Sequence, residues 1–269
     1  MKVPVYDLKG KQTGQTELPR QFHTPLRPDL VKKAVTSHQK ARVQPHGASY
    51  MAGRKSSAKF EGTRRGFGHS YNLAAARVPR LMLRAGRRTG RVMNVPQAVG
   101  GPAAHPPKAE KIWSIKINLK ERRLAIRSAL AATADPKMVS ERGHAITDKL
   151  ATPLVFVNEF EAIDKTKTFT DLLVTLGLSD ELARSSKKKV RAGKGKLRGR
   201  RYRTYKGPLV VVSDSKAPLV KAARNVPGID VVTVRNLNAE LLAPGTHMGR
   251  LAVFSQAALE KIENENLFI

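Results

Sequence analysis

GPLVVVSDSKAPLVKAARNVPGIDVVTVRNLNAELLAPGTHMGRLAVFSQAALEKIENE (207–265) decides the fold, because apolar β-branched runs and amphipathic segments alternate through it at regular spacing. GPLVVVSD (207–214), GIDVVTV (228–234) and GRLAVF (249–254) read as buried strands. KAPLVKAARN (216–225), LNAELLA (237–243) and SQAALEKIENE (255–265) read as helices, the last capped by Ser255. Strand, helix and strand at this spacing require right-handed parallel crossovers. The junctions carry SKAPLV, RNLN and SQAAL, none with the glycines that bring backbone close to a pyrophosphate.

Working towards the N-terminus, PLVFV (153–157) is a further short strand, and TFTDLLVTLG (168–177) is a helix with Thr168 as its candidate cap and Gly177 as its stop. In NLKERRLAIRSALAATA, Asn118 and Glu121 match the reciprocal capping pattern, and Leu119, Ile126 and Leu130 supply a buried face. Pro28 starts a helix with Leu30, Val31, Ala34 and Val35, and the opening VPVYDLKGKQTGQTELP reads as a strand, a turn and a second strand. The expected class is α/β, a globular three-layer domain with a mainly parallel sheet of about four strands. That domain takes residues 1–45 and 112–269, interrupted by an extended internal loop at 46–111 and a basic insertion at 187–206.

The 269 residues carry 50 Lys and Arg against 21 Asp and Glu, a net charge of +29. A field of that size condenses on polyanions. The absence of Cys removes disulfides, Cys-ligated zinc, iron–sulfur clusters and thiol catalysis together. No apolar run approaches the roughly 18 residues of a membrane span, and the start MKVPVYDLKGKQ has no signal-type apolar stretch, so a soluble cytoplasmic protein with no membrane partner is expected. The seven histidines lack metal-ligand spacing, and neither GxSxG nor GxxxxGK[ST] occurs, so no cofactor or metal is expected. Asp214 and Asp230 stand near strand ends, where carboxylates more often cap the next turn than catalyse.

The positive charge is placed rather than spread. Residues 46–111 hold 13 Lys and Arg against 2 acids, and 187–206 hold 11 against none. The first segment is rich in Gly and Pro and holds Arg54, Lys55, Lys59, Arg64, Arg65, Arg77, Arg80, Arg84, Arg87, Arg88 and Arg91. Tyr50, Phe60, Phe67 and Tyr71 are interleaved, with His69 and His105 nearby. Arg offers a planar fork for phosphate and a flat face for bases, aromatics can stack on unpaired bases, and Gly permits close approach. A solvated linker would prefer Ser, Glu and Lys. The second segment adds Lys187, Lys188, Lys189, Arg191, Lys194, Lys196, Arg198, Arg200, Arg201, Tyr202, Arg203, Tyr205 and Lys206. Both segments are assigned to RNA binding.

The stretches RRGFGHSYNLAAARVPRL (64–81), VPQAVGGPAAHPPK (95–108), LKERRLAIRSALAATADP (119–136) and SERGH (140–144) resemble the family of large-subunit ribosomal protein four in its archaeal and eukaryotic form, over nearly the whole chain. The resemblance implies a structural protein of the large ribosomal subunit, located in the cytoplasm. Its body would sit outside, contacting mainly the 5′ domain of the large rRNA and neighbouring ribosomal proteins. Its loop would thread inward to help form the wall of the polypeptide exit tunnel, next to the nascent peptide. The tunnel-facing part would then fall within Arg64 to Arg91, with Arg84, Arg87 and Arg88 as contacts. Two legs of about 33 residues would span some 100 Å fully extended.

Two other functions compete. An RNA-modifying or RNA-cleaving enzyme would use the basic arms to hold substrate, but it needs a cofactor loop or a cluster of acids at the sheet edge. A messenger-binding translational regulator is compatible with the ribosomal reading.

Overall fold

A computed structural model describes residues 1–65, 74–81, 90–147 and 150–269. The chain divides into two units, one of Val43–Trp113 and the other of Met1–Arg42 with Ser114–Ile269.

The larger unit opens with strands β1 (Lys2–Tyr6) and β2 (Gln12–Glu17), then helices α1 (Pro28–Ala41), α2 (Leu119–Thr133) and α3 (Pro136–Glu141). Strand β3 (Leu154–Phe156), helices α4 (Thr166–Thr175) and α5 (Ser179–Ser186), and the short strands β4 (Lys188–Val190) and β5 (Tyr202–Thr204) follow. The chain finishes with β6 (Leu209–Val212), α6 (Leu219–Arg224), β7 (Asp230–Thr233), α7 (Ala239–Leu242), β8 (Ala252–Ser255) and α8 (Gln256–Asn264). Six strands form one sheet in the order β2-β1-β3-β8-β6-β7. Only the β1 and β2 pair is antiparallel; the other four pairings are parallel.

The sheet is wider than the expected four strands because the N-terminal hairpin joins its edge, β1 pairing in parallel with β3 through Val5 and Val155. The strand at VPVY is legible from its alternation, but its distant partner is not. The unbroken apolar runs are explained by burial on both faces. In β6, Leu209 and Val211 pack with α1, α2, α7 and α8 on one side, while Val210 and Val212 pack with α4 and α6 on the other. This gives helix, sheet and helix layers around two cores, to which no described residue of 43–113 contributes. In the second core Phe156 and Phe160 stack 4.5 Å apart at 8°, with Phe169 beyond.

Several local expectations are corrected. Asn118 makes no side-chain cap, so only half of the reciprocal pattern forms: Glu121 accepts from the Asn118 amide and also from Lys33 Nζ at 2.9 Å. Leu119 is 59% exposed, whereas Ile126 and Leu130 are buried as expected, on a face that Ala125, Ala129 and Ala132 broaden with small side chains. At α4, Lys165 holds the cap position, and Thr168, already inside the helix, donates its hydroxyl to the Lys165 carbonyl at 2.8 Å. Gly177 does follow the helix end, at φ +81°. Ser255 caps α8 as expected, accepting from Ala258 N at 3.1 Å.

Candidate nucleic-acid interface

Within Val43–Trp113, three segments meet through backbone hydrogen bonds. Lys59 and Arg80 exchange hydrogen bonds at 3.0 and 3.2 Å, and Arg80 also bridges to Val92. Asn94 braces the junction, its Nδ2 donating to the Ala58 carbonyl at 3.2 Å and its Oδ1 accepting from Ser56 Oγ at 2.7 Å. Among the described residues of this unit, Ala58 and Leu81 are the buried apolar ones, so they contribute little apolar burial to it. Close backbone approach does more. A Cβ at Gly53, where φ is +76°, would lie 2.3 Å from Gly101 C, and one at Gly101 would lie 1.9 Å from the Val95 carbonyl oxygen. The His46 and Trp113 rings stack at 5.8 Å, with Lys111 Nζ 4.6 Å from the indole centroid.

Arg54, Lys55, Lys59, Arg64, Arg65, Arg77, Arg91 and His105 are exposed. Arg80 differs from them: half-buried, it donates to the carbonyls of Gly90 at 2.9 Å and Ala76 at 3.1 Å, which makes it a brace of the loop as well as a cation. Phe67, His69 and Tyr71, and likewise Arg84, Arg87 and Arg88, lie outside the described residues.

The second basic run forms a hairpin. β4 and β5 pair antiparallel, with Lys189 opposite Arg203 and Val190 opposite Tyr202. The tip turns through Gly193–Gly195, and Arg200 N donates back to the Gly195 carbonyl at 3.1 Å. Lys187, Lys188, Lys189, Lys194, Lys196, Arg198, Arg200, Arg201, Tyr202 and Arg203 are all exposed. Arg191 is partly withdrawn, its Nε donating to the Arg200 carbonyl at 3.0 Å. Arg201 lies 5.6 Å from the Tyr202 ring, which lends the aromatic face a cation. Like charges facing each other across a two-stranded ribbon repel, so this hairpin favours a polyanion that neutralises both strands.

The model of the ribosomal protein L4/L1 family matches residues 16–265. Curated relatives called large ribosomal subunit protein uL4 are similar over nearly their entire length. That of Nanoarchaeum equitans is 49% identical across 100% of both chains, and that of Methanosphaera stadtmanae is 47% identical across 97% of this chain and 96% of its own. That of Haloquadratum walsbyi is 44% identical across 97% and 99%. The chain belongs to the ribosomal protein L4/L1 family.

In this L4/L1 family member the strand-end carboxylates are structural. Asp230 stands at the first residue of β7, bound to Arg250 and Lys206, and Asp214 accepts from the Ser215 and Lys216 amides. At the C-terminal ends of β6 and β8, on the side of Asp214, Glu161 accepts from Ser213 N at 2.6 Å and from the hydroxyls of Ser213 and Ser255. No group of metal-ligating side chains is present among the described residues, nor any helix long and apolar enough to cross a membrane.

Sequence reasoning passes over one further feature of the larger unit, a cleft of about 780 Å³ whose lining includes Arg142, Arg184, Arg203, Tyr205 and His247. Its residues come from α5, the end of α3, the exit of β5 and the turn before β8, so no local motif announces it. Beneath it His144 and Glu181 are buried, 2.6 Å apart. Burial pushes the His144 imidazole below its ordinary value, against the pull of Glu181, so at neutral pH Nδ1–H donates to the carboxylate. Burial alone would raise Glu181, but hydrogen bonds from Arg184, His144 and the Ala145 amide hold it at about 2.

Proposed function

We propose that this chain is a structural constituent of the large ribosomal subunit that binds its rRNA and supports its assembly. In this reading, Val43–Trp113 and the 187–206 hairpin are the RNA-binding surfaces, and the loop within Arg64 to Arg91 contributes to the wall of the exit tunnel. The observation carrying it is identity of 44–49% over essentially the whole chain to proteins named for the large subunit. The arrangement of charge supports it independently, with twelve exposed cationic or aromatic side chains on one short hairpin and no acid among them. The 5′ domain of the large rRNA, neighbouring ribosomal proteins and the nascent peptide are the partners this reading names, in the cytoplasm.

Sedimentation of a lysate in high magnesium tests it. The protein should travel with large subunits and whole ribosomes and leave them in high salt; recovery only in the free fractions contradicts the proposal.

A further inference from the structure

The cleft of the larger unit holds an unbalanced cation. Arg142 donates to the carbonyls of Pro244, at 2.9 Å, and His247, and it has no carboxylate partner among the described residues. Two of the five N–H donors of its guanidinium are thereby spent and the fork is held in place. Burial, followed by the charges of its neighbours Arg250 and Arg184, pushes Arg142 down to about 10. Arg184 is also fixed, by Glu181 at 2.7 and 2.8 Å and by the Lys206 carbonyl at 2.7 Å, and it lies 5.8 Å from the Tyr205 ring. Lys206 is paired with Asp230 at 2.8 Å. Arg203 adds a further cation to the lining, and Glu141 is the only acid among its described residues. A partly buried charge without a counter-ion is costly unless a ligand supplies one.

We propose that this cleft takes a single unpaired nucleotide of RNA, its phosphate on the guanidinium groups of Arg142 and Arg203 and its base against Tyr205. Its volume falls within the range of about 300–1,000 Å³ typical of small-ligand clefts. A carboxylate from an acidic peptide would also neutralise Arg142. The nucleotide is favoured because one wall is the exit of the basic hairpin, which recruits a polyanion to the rim, and because Tyr205 and His247 add flat faces that a carboxylate does not use. Extruded bases of folded RNA are what such an arrangement reads. The inference rests on the rRNA-binding reading above and extends it from exposed cations to a built pocket.

The full-length protein is bound to a transcript of its own large-subunit rRNA, its affinity is measured against salt, and the complex is irradiated to cross-link bases to nearby side chains. Tyr205→Ala should weaken binding about tenfold, while Tyr205→Phe, which keeps the ring, stays within about twofold of wild type. Arg142→Lys, which keeps charge but loses the fork, should weaken binding severalfold, and the wild-type cross-links should include a nucleotide on Tyr205. Thermal melts separate these effects from misfolding, and the Tyr205 variants at the rim remain informative if Arg142→Lys destabilises. Tight binding with cross-links confined to Val43–Trp113 and 187–201, and unchanged affinity for Tyr205→Ala, overturns the cleft while leaving rRNA binding intact. Failure of the wild-type protein to bind the transcript overturns both. In purified large subunits, cross-links from Lys206 into an acidic segment of another protein assign the cleft to a peptide and also overturn the proposal.

Discussion

Arg250, wholly buried, donates from Nη2 to Asp230 Oδ2 at 2.7 Å. Its other donors reach the carbonyls of Gly207 and Leu241, both at 2.9 Å, so one guanidinium ties the entry of β6, the start of β7 and the end of α7. Burial pushes Arg250 down and Asp230 opposes that push. Asp230→Ala should cost about 3–5 kcal/mol, because it leaves a buried charge without its partner, whereas Arg250→Met, which removes the charge, should cost less. Chemical denaturation of the two variants checks the order; equal losses would contradict it.

Acid should weaken the larger unit in two stages. His144 lies below its ordinary 6.5 in the folded state, so its contribution is complete above that pH and is lost as pH falls through the folded value. Glu181 sits at about 2 against an ordinary 4.5, so its contribution is complete above 4.5 and lost between 4.5 and 2. The second stage is worth roughly 3 kcal/mol. Denaturation midpoints measured against pH should fall in both windows, and Glu181→Gln should flatten the lower one.

Replacing Lys187, Lys188 and Lys189 with Gln should weaken rRNA binding and reduce the log–log salt slope by about 2 to 3, if each meets a phosphate. Filter binding between low and moderate salt measures this. An unchanged slope would mean that the base of the hairpin makes no phosphate contact.

Neither core draws on any described residue of 43–113. Deletion of residues 64–91 should therefore leave the melting transition of the larger unit within about 2 °C, equivalent to less than about 1 kcal/mol. Large-subunit assembly should suffer in the same variant. Loss of the cooperative transition would contradict the division of labour between the two units.

Gly53→Ala should loosen the smaller unit by about 2 kcal/mol or more, since alanine at φ +76° is strained and its Cβ would collide with backbone. Hydrogen exchange of the Ala48 amide, which donates to the Pro107 carbonyl at 3.1 Å, reports the loss.

The alternation of β-branched runs and helices in 207–265 was sufficient to read a parallel α/β sheet, because strands buried on both faces must be apolar at every position. Charge placement was equally legible, since a run of eleven cations without an acid needs no tertiary context to be seen. What the chain does locally at a helix start was less so: Glu121 keeps its bond to the Asn118 amide, yet the Asn118 side chain makes no cap and Lys33 from a distant helix shares the carboxylate. Leu119, apolar by type, is left in solvent because the neighbouring alanines make the better packing surface. The docking of the N-terminal hairpin on β3, the Arg250 and Asp230 tie and the Arg142 cleft were decided by tertiary structure alone. Each joins residues tens to more than a hundred positions apart, and no local pattern carries the free energy of a contact whose partner arrives only when the sheet has closed.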